Sequence, residues 1–125
     1  MLRKIDCVLV RVPDLAPAAE FYTRVFGLRE LWRDEASIGL GMAETDAEIV
    51  LHTMNLPADR SVHYLVGDVA GAVAVAERAG CTVREEPFDI TIGRCAVLVD
   101  PFGNAVCVLD MSKGPRPTAP IPPAE

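Results

Sequence analysis

A strand-length run rich in β-branched residues, Ile5 to Val12, leads through Pro13-Asp14 into a segment that ends at Gly27. In that segment Leu15, Ala18, Ala19, Tyr22, Val25 and Phe26 recur at the spacing of one helix face. The same grammar returns 54 residues on, from Asp14 to Asp68: Ser61 to Val66 as a strand, a stripe of Val69, Ala72, Val73 and Ala76, and a closing Gly80. Asp14 and Asp68 read as N-caps, since a short carboxylate there accepts from the orphan N–H groups of the first turn. Pro17 lies in the first turn, where a missing N–H costs little, and Gly27 and Gly80 suit the left-handed backbone that ends a helix.

Three strand-like runs follow each helix. They are Arg29 to Arg33, Ser37 to Ala43 and Glu48 to Met54, then Thr82 to Glu85, Arg94 to Asp100 and Ala105 to Met111. The closing runs match by eye, Val50-Leu51-His52-Thr53-Met54 against Cys107-Val108-Leu109-Asp110-Met111, and Asp100-Pro101-Phe102-Gly103-Asn104 forms the turn between the last two strands. A chain that writes β-α-β-β-β twice is expected to be an α+β protein, one domain over residues 1–111 built from modules 1–56 and 57–111. Half of its 125 residues are apolar, enough for a core without a disulfide or metal staple. Residues 112–125, where five of the ten prolines fall in the last eleven positions, are expected to form a Pro-rich disordered tail.

Charge and cysteine usage narrow the partners. Twelve Lys and Arg against 18 Asp and Glu give a net charge of −6 with no basic cluster, which argues against nucleic acid. Apolar runs such as Cys95 to Val99 are far shorter than the about twenty residues of a membrane helix, so no membrane partner is expected. Cys7, Cys81, Cys95 and Cys107 form no C-x-x-C pair, and Met1 to Val10 lacks the apolar core of a signal peptide. The expectation is a reduced, cytoplasmic protein with a neutral or cationic small-molecule ligand.

Strand parity separates two faces of the sheet, because successive side chains point to opposite sides. Val8, Val10, Val12, Ile49, Leu51, Val62, Tyr64, Val66, Val106 and Val108 are uniformly apolar and belong under the helices. The opposite parity mixes Cys7, Leu9, Arg11, Glu48, Val50, His52, Ser61, His63, Leu65, Ala105, Cys107 and Leu109. An apolar surface with a few polar groups is what a ligand cavity requires.

Ile5-Asp6-Cys7, Val12-Pro13-Asp14-Leu15, Glu20-Phe21-Tyr22 with Gly27-Leu28, and Asp100-Pro101-Phe102-Gly103-Asn104 make residues 3–111 resemble the vicinal oxygen chelate superfamily. That family includes glyoxalase I, extradiol dioxygenases, fosfomycin-resistance enzymes and bleomycin-resistance proteins. The resemblance implies two tandem βαβββ modules forming a cup-shaped mixed sheet with helices on the convex face. In the family's enzymes it implies a divalent metal on the cup floor, held by His and Glu on the first and last strand of each module. Here those positions are Cys7, Val50, Ser61 and Cys107. Valine cannot ligate and a serine hydroxyl is a poor ligand, so no metal or other cofactor is expected. Several relatives form the cup between two chains, which implies a homodimer.

The candidate ligand-binding residues are Cys7, Leu9, Trp32, Val50, His52, Ser61, His63 and Cys107. Trp32, the single tryptophan, offers a stacking face or else packs the sheet or a subunit contact. His52 and His63 either line the cavity or, with Glu48 or a thiolate, build a displaced metal site. Cys7 and Cys107 either hold a soft metal, close a disulfide, or behave as small buried hydrophobes. Phe88 and Phe102 are candidates for the rim. The favoured expectation is a metal-independent protein that binds a planar or cationic drug or metabolite. A glyoxalase-like lyase or isomerase with a displaced metal or a His general base is the alternative, and a protein-interaction domain the third.

Overall fold

The computed structural model describes residues 1–116. The elements run β1 (Lys4–Arg11), α1 (Leu15–Phe26), β2 (Arg29–Arg33), β3 (Ser37–Met42) and β4 (Thr45–His52), then a single 3-10 turn at Ala58–Arg60. The second half is β5 (Val62–Leu65), α2 (Val69–Arg78), β6 (Thr82–Asp89), β7 (Arg94–Val99) and β8 (Ala105–Leu109). All eight strands join one mixed sheet in the order β2-β3-β4-β1-β5-β8-β7-β6. Each module is therefore a four-stranded half in which its first and last strands pair in parallel, and β1 and β5 join the halves antiparallel. One chain supplies both halves. No helix among the described residues is long and apolar enough to cross a membrane.

The helices cover one face through separate cores. Ala19 of α1 packs with Ile38, Leu40 and Leu51, flanked by Val10, Val12, Leu15, Ala18, Tyr22, Leu28 and Ile49. Val69, Ala72, Val73 and Ala76 of α2 pack with Val66, Ala96, Leu98 and Val108. Most of the residues that parity assigns to the helix side lie there. Val8, Val62 and Tyr64 do not join either core and are only half-buried, because the helices sit over the outer strands and leave the β1–β5 seam between them.

Several local expectations need correction. Asp68 accepts a hydrogen bond from Gly71 N at 2.8 Å, whereas Asp14 makes no side-chain cap bond. The position equivalent to Gly71 is Pro17, which has no N–H to give. Strand β6 runs on to Asp89 through Pro87, tolerated because β6 is the last strand of the sheet and has an unpaired edge. Strands β4 and β8 end at His52 and Leu109, before the residues that fasten them to their surroundings. Of the Pro-rich extension expected from residue 112, the portion from 117 lies outside the described residues.

Asp110, only 1% exposed, is the principal fastening point. Its Oδ2 accepts from Val69 N at 2.9 Å at the start of α2, and its Oδ1 accepts from Arg94 N at 3.0 Å and Ser112 Oγ at 2.8 Å. Burial alone would raise the Asp110 pKa, but these donors outweigh it and hold the carboxyl below its usual range. Gly93 is required beside it: a Cβ there would stand 2.3 Å from Asp110 Oδ1.

Candidate functional site

The face opposite the helices encloses a cavity of about 470 Å³. One wall comes from the first module: Trp32 on β2, Glu48 and Val50 on β4, Cys7 and Leu9 on β1, with Met54 and Leu56 beyond them. The facing wall is Phe88, Ile90, Ile92, Cys95 and Leu109, which pack with Leu65 into an apolar cluster of their own. His63, Arg60 and Glu85 add polar groups.

The indole of Trp32 is held on two sides. A Cβ on Gly39, its partner across β3, would lie 2.1 Å from the indole Nε1, so only glycine lets the ring settle against the β3 backbone. At its edge, Nε1 donates to Glu48 Oε1 at 2.7 Å. Burial pushes the Glu48 carboxyl above its ordinary range, against the opposing pull of that hydrogen bond. Over the ring face lies the Arg116 guanidinium carbon, 4.0 Å from the ring centroid.

The second polar group centres on Arg60. Its Nη1 pairs with Glu85 Oε2 at 2.8 Å, and its guanidinium carbon lies 5.7 Å from the Phe88 ring centroid. Arg60 Nε and His63 Nδ1 are buried without a hydrogen-bond partner among the described residues. Burial, and secondarily the Arg60 charge, pull the His63 pKa below the ordinary imidazole value, against the Ser61 backbone, so the ring is neutral at pH 7. Burial likewise raises the Cys7 and Cys107 thiols and pushes Cys95 up to about 12. These cysteines stay protonated, and none is an activated nucleophile.

Five of the eight candidate residues line this cavity: Cys7, Leu9, Trp32, Val50 and His63. His52 and Ser61 open instead on a smaller adjoining cleft that shares Leu9, Leu56 and Arg60. There His52 Nδ1 accepts from Met54 N at 3.1 Å, and Ser61 Oγ donates to the Leu9 carbonyl at 3.1 Å. Cys107 is fully enclosed. Phe88 is on the wall, whereas Phe102 projects from the β7–β8 turn, 87% exposed and away from the cavity.

Three alternatives raised by the sequence fail on this geometry. All four cysteines are free, and Cys7 and Cys107 each pair with His63, so a whole strand separates them. Two strand spacings are about 9.6 Å, beyond the reach of a disulfide. The displaced set of His52, His63 and Glu48 is not assembled, because His52 pairs with Arg11 and His63 with Cys7, four residues apart along β1 and so separated by about 13 Å of strand. At the superfamily's ligand positions stand two thiols a whole strand apart, a valine and a serine already bonded to backbone, not the oxygen and imidazole donors that a hard divalent cation takes. Among the described residues no three His, Cys, Asp or Glu side chains form a metal-binding group.

Arg60, Glu85 and Arg116 were not singled out from the sequence. A signal for the first two exists: Asp59-Arg60 and Arg84-Glu85 are dipeptides of opposite order, and they pair residue for residue, Arg84 with Asp59 and Arg60 with Glu85, each at 2.8 Å.

Comparison with known proteins agrees with this architecture. Among solved structures the chain is similar to methylmalonyl-CoA epimerase from Mycobacterium tuberculosis, with a TM-score of 0.68 and 17% identity over 89% of each chain. It is similar to a variant of the Streptomyces coelicolor methylmalonyl-CoA epimerase, with a TM-score of 0.69 and 19% identity over 90% of this chain and 99% of that one. A hypothetical protein from Bacillus halodurans C-125 gives a TM-score of 0.73 at 13% identity, covering 90% of this chain and 97% of that one. At these identities the fold is what is shared. A search of curated proteins gave no match. Residues 4–108 match the Glyoxalase/Bleomycin resistance protein/Dioxygenase superfamily, and the chain belongs to that superfamily.

Proposed function

We propose that this protein holds a small organic molecule in its cup without a metal, with a planar part of the ligand stacked on Trp32. The observation that carries this reading is the construction of the platform: Gly39 vacates the space behind the indole, and Glu48 ties its edge. The rest of the cavity complements it. Apolar walls with a few fixed polar groups bind by burial and orient by hydrogen bonds, and the protonated thiols offer no activated nucleophile.

Trp32 reports directly, being the sole tryptophan. Titration of the protein with a panel of planar aromatic compounds, neutral and cationic, is expected to give saturable quenching by at least one of them. Calorimetry of that compound with Trp32→Ala is expected to show affinity lower by about tenfold or more, the scale of one lost aromatic contact in a desolvated site. Unchanged affinity in Trp32→Ala rejects the platform.

A further inference from the structure

The segment after β8 does not leave the molecule at once. Ser112 N and Oγ both donate to Asp110 Oδ1, at 3.2 and 2.8 Å, and Lys113 N donates to the Ile92 carbonyl at 2.9 Å. Lys113 Nζ reaches the Ile90 carbonyl at 3.2 Å and the Asp89 carboxylate at 3.1 Å. From this root on the β6–β7 hairpin the chain crosses the mouth of the cavity, where Pro115 and Arg116 join its lining. Arg116 ends on the opposite wall: its guanidinium lies over Trp32 at 4.0 Å, and its Nη1 stands 3.3 Å from Asp34 Oδ2. The Glu48 carboxylate adds its charge to the same corner. Strands β2 and β6 are the two ends of the sheet, so residues 112–116 tie its extremes together across the opening.

Trp32, Asp34 and Glu48 thus combine an aromatic face with two carboxylates, the chemistry that recognises a flat cation. We infer that this corner is a subsite for a planar amidinium- or guanidinium-type cation, that the protein's own Arg116 fills it in the free state, and that a ligand enters by displacing Arg116. The inference rests on the cup being the ligand site and adds the charge of the ligand and an internal competitor. Ligand affinity is reduced by the fraction of time that Arg116 occupies the corner, so removing the side chain raises it.

The test uses the full chain and Arg116→Gln, a change in a surface arm that buries no core residue. Acrylamide quenching of Trp32 needs no ligand, and its constant is expected to rise about twofold in Arg116→Gln as the ring face is uncovered. Titration with benzamidine, a planar amidinium, is expected to tighten about tenfold in Arg116→Gln, the order of one desolvated cation–π contact, while its neutral counterpart benzamide binds Arg116→Gln more weakly than benzamidine does. Equal acrylamide quenching in the two proteins overturns the inference. Equal affinity of Arg116→Gln for benzamidine and benzamide overturns it too, yet leaves the cup as a ligand site. If no compound of the planar panel perturbs Trp32 in either protein, it is the underlying reading of the cup that fails, and the inference with it.

Discussion

The two modules place equivalent positions in equivalent registers, but the residues in the row that crosses the cavity side differ. In the first, Trp32, Gly39, Val50 and Leu9 lie in one row across β2, β3, β4 and β1. In the second, Glu85, Val97, Cys107 and His63 form the matching row across β6, β7, β8 and β5. Even the bulges correspond, just before Trp32 and just before Glu85. On the helix side the modules agree in character, aliphatic against aliphatic. Backbone hydrogen bonding and helix packing constrain the duplicated half-sheets alike, whereas cavity-facing positions are free of that constraint and have diverged. Where the second module has fully buried Val97, the first has Gly39, and the vacated volume is what lets an indole lie flat. The first module thereby offers a stacking wall, and the second an apolar one to which Arg60, Glu85 and His63 add polar groups.

The fastening of the halves differs as well, and this gives the largest expected effect. Asp110 ties α2, β7 and the C-terminal strap together from a buried position, whereas Thr53 at the equivalent place in the first module is exposed. Asp110→Ala strands the buried Val69 N–H and the partly buried Arg94 N–H and is expected to cost about 3 kcal/mol, while Thr53→Ala costs less than about 0.5 kcal/mol. Urea unfolding of the two variants measures the contrast, and equal losses would dissolve it.

Next in size is the exchange of the row residues. Gly39→Val gives the first module the second module's side chain and drives it into the indole. The expected result is a stability loss of about 2 kcal/mol, a red-shifted Trp32 emission and loss of binding to planar compounds. Retention of the wild-type emission would mean that the platform does not depend on that space.

The smallest effect is a pH dependence. The native pKa of His63 is depressed, chiefly by burial, so below about pH 6.5 the unfolded chain takes up a proton that the folded one refuses. Stability contributed by neutral His63 is therefore present above that pH and is lost as pH falls. His63→Leu, which copies the equivalent Leu9, is expected to flatten the fall in urea midpoint between pH 7.5 and pH 5.5. His52, also depressed, leaves a residual slope of the same sign, and the half-buried carboxyls Asp6 and Glu48, raised in the fold, act in the opposite sense at lower pH. An unchanged slope in His63→Leu would show that the imidazole is already solvated.

Much of the fold was legible because it follows from periodicity. Ile38, Leu40 and Leu51 alternate, Val69, Ala72, Val73 and Ala76 recur at helical spacing, and every strand and both helices lie within a few residues of their expected places. The site was legible in part, since parity places Cys7, Leu9, Val50 and His63 on one face without saying how far along each strand the cavity extends. His52 and Ser61 have the right parity but lie past its edge, in the smaller cleft, and Cys107 is enclosed. Contacts that depend on long side chains from distant segments left no period to follow. Arg60 enters from a turn, and Arg116 enters from a segment whose prolines read as a free tail. Asp14 does stand at the N-cap of α1, and the reason its side chain makes no cap bond was written in the sequence at Pro17, three residues on.

The central claim is that this member of the superfamily binds through the Trp32 platform without a metal. It is tested most directly by titrating the compound that best quenches Trp32 in excess chelator, then in the presence of zinc, nickel, manganese or iron, with metal content per chain measured on the same samples. The account predicts affinities equal within about twofold in every condition and no stoichiometric metal. Binding that appears only with a metal, at one ion per chain, would contradict it and return Cys7, Val50, Ser61 and Cys107 to question as a ligand set.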